Sequence, residues 1–141
     1  MENIKLDINN IAIVLVEPIR AGNIGSVARG MKNMGFSDLR LVNPKSSPMD
    51  EDAKMFAHAS REILESARIF STIGEAVSDC CLVIATSHKV VRNNQQSSTA
   101  RELGEKLVPY CKNNKVAILF GREDCGLHNE EINACSWVVT I

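Results

Sequence analysis

At 141 residues, with 45% apolar and 23% charged residues, the chain has room for one domain with its own core and is too well balanced for a disordered segment. A formal net charge of −1 argues against a protein that grips nucleic acid along a long basic track, while leaving room for a local basic contact. No run approaches the apolar length of a membrane span and the amino-terminal residues lack a secretory pattern, so a cytoplasmic protein is expected.

Ile11-Ala12-Ile13-Val14-Leu15-Val16 is a continuous β-branched apolar run, the pattern of a strand buried on both faces. Glu17-Pro18 and Ala21-Gly22-Asn23 lead into a helix with Ile24, Val27, Ala28, Met31 and Met34 at helical spacing, which Gly35 ends. Leu39-Arg40-Leu41-Val42 is a second strand, closed by Asn43-Pro44. One helix is predicted over 50–67, with Ala53, Phe56, Ala57, Ile63 and Leu64 inward. A third strand at 82–85 ends in Thr86-Ser87, and the polar stretch after it, at 93–98, reads as a solvated loop or a lid. Thr99 and Glu102 have capping-box spacing at the start of another helix, whose stripe is Ala100, Leu103, Leu107 and Tyr110 or Cys111. A fourth strand at 116–120 runs into Gly121, and a short helix near 129–134 leads to a fifth strand at 137–141.

Strands and helices alternating at this spacing imply an α/β fold, a parallel sheet covered by helices on both faces. Ligands of such sheets bind beyond the carboxyl ends of the strands, which selects three loops, 17–25, 86–98 and 121–128. Neither a GxGxxG nor a GxxxxGK[ST] signature is present. The helix start at Asn23 and Gly25 suits an anion, with Arg29 further along; spacing alone favours a solvated surface arginine. In Gly121-Arg122-Glu123-Asp124-Cys125-Gly126-Leu127 two glycines bracket two carboxylates, with Gly121 expected to admit a ligand to the backbone and Gly126 to permit a turn. Arg20, Arg29, Lys32, Lys89, Arg92 and Arg122 are candidates for one basic rim. The five cysteines, Cys80, Cys81, Cys111, Cys125 and Cys135, are odd in number and include no CxxC pair. Neither a disulfide framework nor a metal site is expected; Cys80, Cys81 and Cys111 read as small buried residues, and a Cys–His nucleophile is a minor alternative.

Val16-Glu17-Pro18 with Asn23-Ile24-Gly25-Ser26-Val27-Ala28-Arg29, then Met31-Lys32-Asn33-Met34-Gly35-Phe36, resembles the first motif of the SPOUT methyltransferases, in the branch of bacterial tRNA/rRNA 2′-O-ribose methyltransferases. Phe120-Gly121-Arg122-Glu123 with Gly126-Leu127 and Asn129-Glu130-Glu131 is similar to the second motif, and Ala85-Thr86-Ser87 to the strand end before the variable loop. The resemblance covers nearly the whole chain. It implies one SPOUT domain over 1–141, S-adenosylmethionine as methyl donor, and 2′-O-ribose methylation of tRNA, with rRNA the other candidate. It implies donor contacts at Thr86, Ser87, His88, Gly121 and Ile141. It assigns Arg29 as the catalytic arginine, with Asn23 and Glu123 as polar residues around it, and a homodimer that completes the site. His88 and Lys89 depart from the family's small residue and arginine. The family continues past Ile141 with the segment that threads a carboxyl-terminal knot, so a chain ending there is expected to lack the knot segment and to be inactive on its own. The competing readings are a non-catalytic RNA-binding or dimerisation module of SPOUT descent and, less favoured, an unrelated nucleotide-binding α/β domain.

Overall fold

The computed structural model describes residues 8–87, 96–109, 111 and 113–140. The apolar runs form strands where the pattern predicts them: β1 (Ile11–Val16), β2 (Asp38–Val42), β4 (Leu82–Ser87), β6 (Val116–Phe120) and β7 (Trp137–Thr140). Two further strands, β3 (Arg68–Phe70) and β5 (Gln96–Thr99), lie at the two sheet edges. Among the described residues the sheet has seven strands in the order β3-β2-β1-β6-β4-β7-β5, and every pair in it is parallel.

One expectation needs correction here. The polar stretch at 93–98 is not all loop, because 96–99 pairs with β7 in register Gln96↔Trp137 to Thr99↔Thr140; 93–95 lie outside the described residues. β7 is therefore an interior strand, held by β4 on one side and β5 on the other.

Helix α1 (Ala21–Met34) ends as predicted at Gly35, whose φ of 88° is the left-handed conformation a helix stop needs, with its N–H donated to Lys32 and that of Phe36 to Met31. The single helix predicted over 50–67 is broken. It forms α2 (Glu51–Ala57), a 3₁₀ turn (His58–Ser60) and α3 (Arg61–Ser66), with His58 at φ 53°. The break lets α2 lie against α1. A Cβ on Gly25 would stand 2.1 Å from the carbonyl oxygen of Ala53, so the two backbones touch and only glycine fits. The broad apolar side of α1 is thus shared between sheet and α2: Ile24, Ala28 and Met31 are buried, and Met34 is exposed.

The remaining helices are α4 (Ile73–Ala76), α5 (Ala100–Leu107) and α6 (Asn129–Asn133). α5 carries the predicted capping box between Thr99 and Glu102. α1, α2, α3 and α5 cover one face of the sheet over Ile13, Leu39, Leu41 and Ile84; α4 and α6 cover the other over Val14, Leu119 and Val138. Both faces are buried, which is why the central strands read as unbroken apolar runs.

Candidate active site at the carboxyl ends of the strands

The parallel register brings the ends of β1, β6, β4 and β7 to one edge of the sheet. Of the three loops expected there, two are described in full. The one after β4 begins with Thr86 and Ser87. Thr86 donates its hydroxyl to the Leu119 carbonyl at 2.8 Å, tying β4 to β6 one turn below Gly121. Ser87 is buried.

After β6 the chain makes a tight reversal. Arg122 and Gly126 exchange backbone hydrogen bonds of 3.2 and 2.8 Å, and Gly126 sits at φ 72°. A Cβ on Gly121 would lie 2.1 Å from the backbone of Gly126 and Leu127. The glycine is required by this reversal, and its Cα face meets the chain itself where a ligand was expected.

Arg122 holds the reversal to its neighbours. Its guanidinium makes a two-pronged pair with Glu131 on α6 at 2.9 and 3.1 Å, donates to the Gly126 carbonyl at 3.3 Å, and pairs with Glu17 after β1. Its side chain is 10% exposed, so it does not belong to the expected basic rim. Glu131 also accepts the His128 N–H at 2.6 Å, capping α6. The guanidinium is held protonated by Glu131, against burial and with help from Glu17. Hydrogen bonding to Arg122 lowers the Glu17 carboxyl; burial raises that of Glu131, and Arg122 with the His128 N–H brings it below its ordinary value. Glu17 itself has φ 49° and is also reached by Lys45 at 3.3 Å.

Glu123 points the other way, into the start of α1. Its carboxylate accepts the Ile19 N–H at 2.9 and 3.2 Å, and the Arg20 N–H and the Asn23 side chain are near enough to favour its charged form. Burial raises its pKa, and these donors outweigh burial and lower it overall. The anion expected at the helix start is therefore an internal one.

The structure thus brings Asn23 and Glu123 into contact, and places Thr86, Ser87 and Gly121 on the adjacent strand ends. Arg29 is not in that cluster. It is exposed on α1 about 9 Å further along the axis from Asn23, and makes no ion pair among the described residues. His88 and Ile141 lie outside the described residues, as do Lys89 and Arg92 of the expected rim. Lys32 is paired with Glu62, which leaves Arg20 and Arg29 as the described members.

Of the cysteines, Cys111 and Cys135 are buried, Cys80 is half-buried, and Cys81 is exposed, contrary to expectation. Burial pushes the Cys80 and Cys135 thiols up to about 11, too high for a thiolate near neutrality. Cys125 and His128 are both exposed, with Sγ and Nε2 4.0 Å apart. Among the described residues no group of three His, Cys, Asp or Glu converges as a metal site, and no helix is long and apolar enough to cross a membrane.

Residues 10–141 match the SpoU rRNA Methylase family. The chain is 43% identical over 134 residues to a Haemophilus influenzae protein described as an uncharacterized tRNA/rRNA methyltransferase, covering 95% of this chain and 54% of that one. It is 44% identical over 134 residues to the tRNA (cytidine-2′-O-)-methyltransferase TrmJ of Methanocaldococcus jannaschii, covering 93% and 57%. It thus spans about half the length of the curated relatives it matches. The solved structure of a probable methylase family protein from H. influenzae superposes with a TM-score of 0.87 at 43% identity, over 94% of this chain and 55% of that one.

Proposed function

The chain belongs to the SpoU rRNA methylase family, with the SPOUT fold, and from that premise we propose that it serves S-adenosylmethionine-dependent 2′-O-ribose methylation of tRNA. The observation that carries the reading is the meeting of the two family motifs at one sheet edge. Glu123 of the second grips Asn23 and the α1 start of the first, beside the ends of β4 and β6. M. jannaschii TrmJ, named for cytidine 2′-O-methylation of tRNA, supports the acceptor class.

The residues present fit the donor. The neighbouring ends of β6, β4 and β7 offer uncharged groups at Thr86, Ser87, Gly121 and Thr140, suited to an adenosyl group, which is recognised by backbone and hydroxyl partners. Thr86 and Ser87 would hold it, with Gly121 able to contribute through its backbone polar groups and not its Cα face, and with His88 and Ile141 as the further positions. The donor supplies a methyl group on a positively charged sulfur. A ribose hydroxyl would take that methyl as the carbon–sulfur bond breaks to leave a neutral thioether, its proton passing to water or a phosphate, so the protein's task is to stabilise growing negative charge on that oxygen. An arginine side chain offers donors and no acceptor, so Arg29 is not assigned the part of a base. Its proposed role is a fixed cation at the acceptor oxygen, with the second N–H of the Asn23 amide as a further donor. Met34 at 67%, Met55 at 59% and Phe56 at 47% exposure on α1 and α2 support a second copy of the chain as the partner that completes the acceptor side.

The test is transfer of labelled methyl from S-adenosylmethionine to tRNA, followed by digestion to nucleosides. A labelled 2′-O-methyl nucleoside is expected from the full-length protein. Arg29→Ala is expected to lower turnover by about 100-fold or more while donor affinity holds, since loss of one charge-stabilising donor costs that much. Donor and tRNA binding without transfer would instead favour a non-catalytic RNA-binding module. Equal loss of donor binding and turnover in Arg29→Ala would make that arginine structural.

A further inference from the structure

We infer that Glu123 is a positioning residue, a carboxylate cap delivered across the sheet to the amino end of α1, and that it fixes the helix carrying Arg29 without taking the substrate's proton. α1 has no cap of its own: the residue at its cap position is Arg20, and no side chain there accepts a hydrogen bond. The first amides of a helix need acceptors, and a negative charge beside them is favourable. Glu123, 104 residues from Ile19, accepts the Ile19 N–H just before the helix and reaches the Arg20 N–H at its cap position, which places its negative charge beside the first turn. Its remaining capacity goes to Asn23, in the first turn of the same helix. Apart from the Glu123 backbone itself, the partners of this carboxylate lie within five residues at the helix start.

Arg122, one residue earlier, holds Glu17 at the opposite end of the same loop. Two adjacent side chains of opposite charge therefore clamp the segment 17–23 at both ends, and the second motif sets the position of the first. A carboxylate that already accepts the Ile19 N–H on both oxygens is a poor proton acceptor, since a donor stabilises its ionised form. Capping accounts for an acidic residue here without giving it a chemical step. The turnover arm below rests on the methyl-transfer reading; the amide arm does not.

The experiment compares Glu123→Ala, Glu123→Gln and wild type in the full chain. Hydrogen exchange of the Ile19 and Arg20 amides is followed by NMR, and kcat and its pH profile are measured with tRNA. Glu123→Ala is expected to speed exchange of both amides by about five- to tenfold, the loss typical of a helix cap. Glu123→Gln keeps an acceptor oxygen, so exchange is expected to return most of the way to wild type. Its kcat should fall less than about tenfold, with the shape of the pH profile unchanged. Unchanged exchange in Glu123→Ala would overturn the cap. Turnover abolished in Glu123→Gln with both amides still protected would overturn the positioning role and make Glu123 a proton acceptor. If wild type itself transferred no methyl, the function proposed above would fail and the amide comparison would still decide the cap.

Discussion

Two arginines, each held by two carboxylates and a backbone carbonyl, sit at opposite ends of the sheet. Arg40 on β2 is 1% exposed and joins Asp38 at 2.9 Å, Asp79 at 2.5 and 3.0 Å and the Ala76 carbonyl at 2.7 Å. Arg122 at the carboxyl ends joins Glu131, Glu17 and the Gly126 carbonyl. The bonding is nearly the same and the residues it joins are not. Arg40 locks β2 to the segment entering β4, with Lys115 adding to the same carboxylates at 3.5 and 4.0 Å, all where ligands of such sheets do not bind. Arg122 locks a reversal containing Gly126 at φ 72° to Glu17 at φ 49°, both on loops that carry the candidate site. One chemistry serves stability at one end and placement at the other.

Arg40→Met should give the largest loss of stability. Removing a buried cation strands Asp38 and Asp79, and breaking such a group costs about 3–5 kcal/mol; the lower end applies because Asp79 is 42% exposed. Urea unfolding should show this, and pairing the change with Asp79→Asn should recover part of it. Turnover per folded molecule should stay near wild type. Arg122→Met should reverse that balance, costing about 2 kcal/mol for hydrogen bonds to charged groups while lowering turnover by about 100-fold through loop displacement. Similar turnover losses in the two variants would break the distinction between the two ends.

Acid sharpens the comparison. Hydrogen bonding to Arg40 holds the Asp79 carboxyl far below its usual range; burial raises Asp38, and Arg40 with Arg68 brings it below its ordinary value. Glu17 and Glu131 are lowered in the same sense. A carboxyl with a depressed folded pKa adds stability that is complete above the unfolded pKa, about 4, and is lost as pH falls through the folded value. Wild type should therefore hold its stability above about pH 5 and lose it progressively below about pH 4. Both variants should show a shallower acid slope, more so Arg40→Met because Asp79 is shifted further. An unchanged slope in Arg40→Met would mean that the aspartates gain nothing from that guanidinium.

The sequence made the centre of this molecule legible and its margins opaque. β1, β2, β4, β6 and β7 are apolar runs because both faces are buried, and Gly35 ends α1 where its φ of 88° requires it. β3 is Arg-Ile-Phe, too short for its two apolar residues to read as a run, and β5 is Gln-Ser-Ser-Thr, with no apolar residue at all. Nothing in the pattern over 50–67 marks His58 as a break, because the apolar spacing resumes in α3. The motifs named Asn23, Glu123, Thr86 and Gly121, which the structure places on neighbouring loops and strand ends. They did not tell that Arg122 faces inward, since a sequence gives a charge without its partners. Glu17 and Glu131, each at acceptor distance from Arg122, were the available signal, but they lie 105 and 9 residues from it along the chain.

The smallest effect should come from Lys32→Ala. Lys32 pairs with Glu62 across α1 and α3 and donates to the Ala59 carbonyl at 3.1 Å, so it too joins separate elements. The difference is solvent: the two side chains are 46% and 58% exposed, against 1% for Arg40 and 10% for Arg122. The ammonium lowers the Glu62 carboxyl, yet water and salt screen an exposed pair, and ordering two long side chains offsets most of the gain. Urea midpoints of wild type and Lys32→Ala should coincide within error, and added salt should leave that agreement unchanged. Turnover should also hold, since Lys32 touches neither Asn23 nor Glu123 among the described residues. A midpoint shift as large as that of Arg122→Met would show that burial does not rank these three cations, and the contrast between the two ends of the sheet would lose its physical basis.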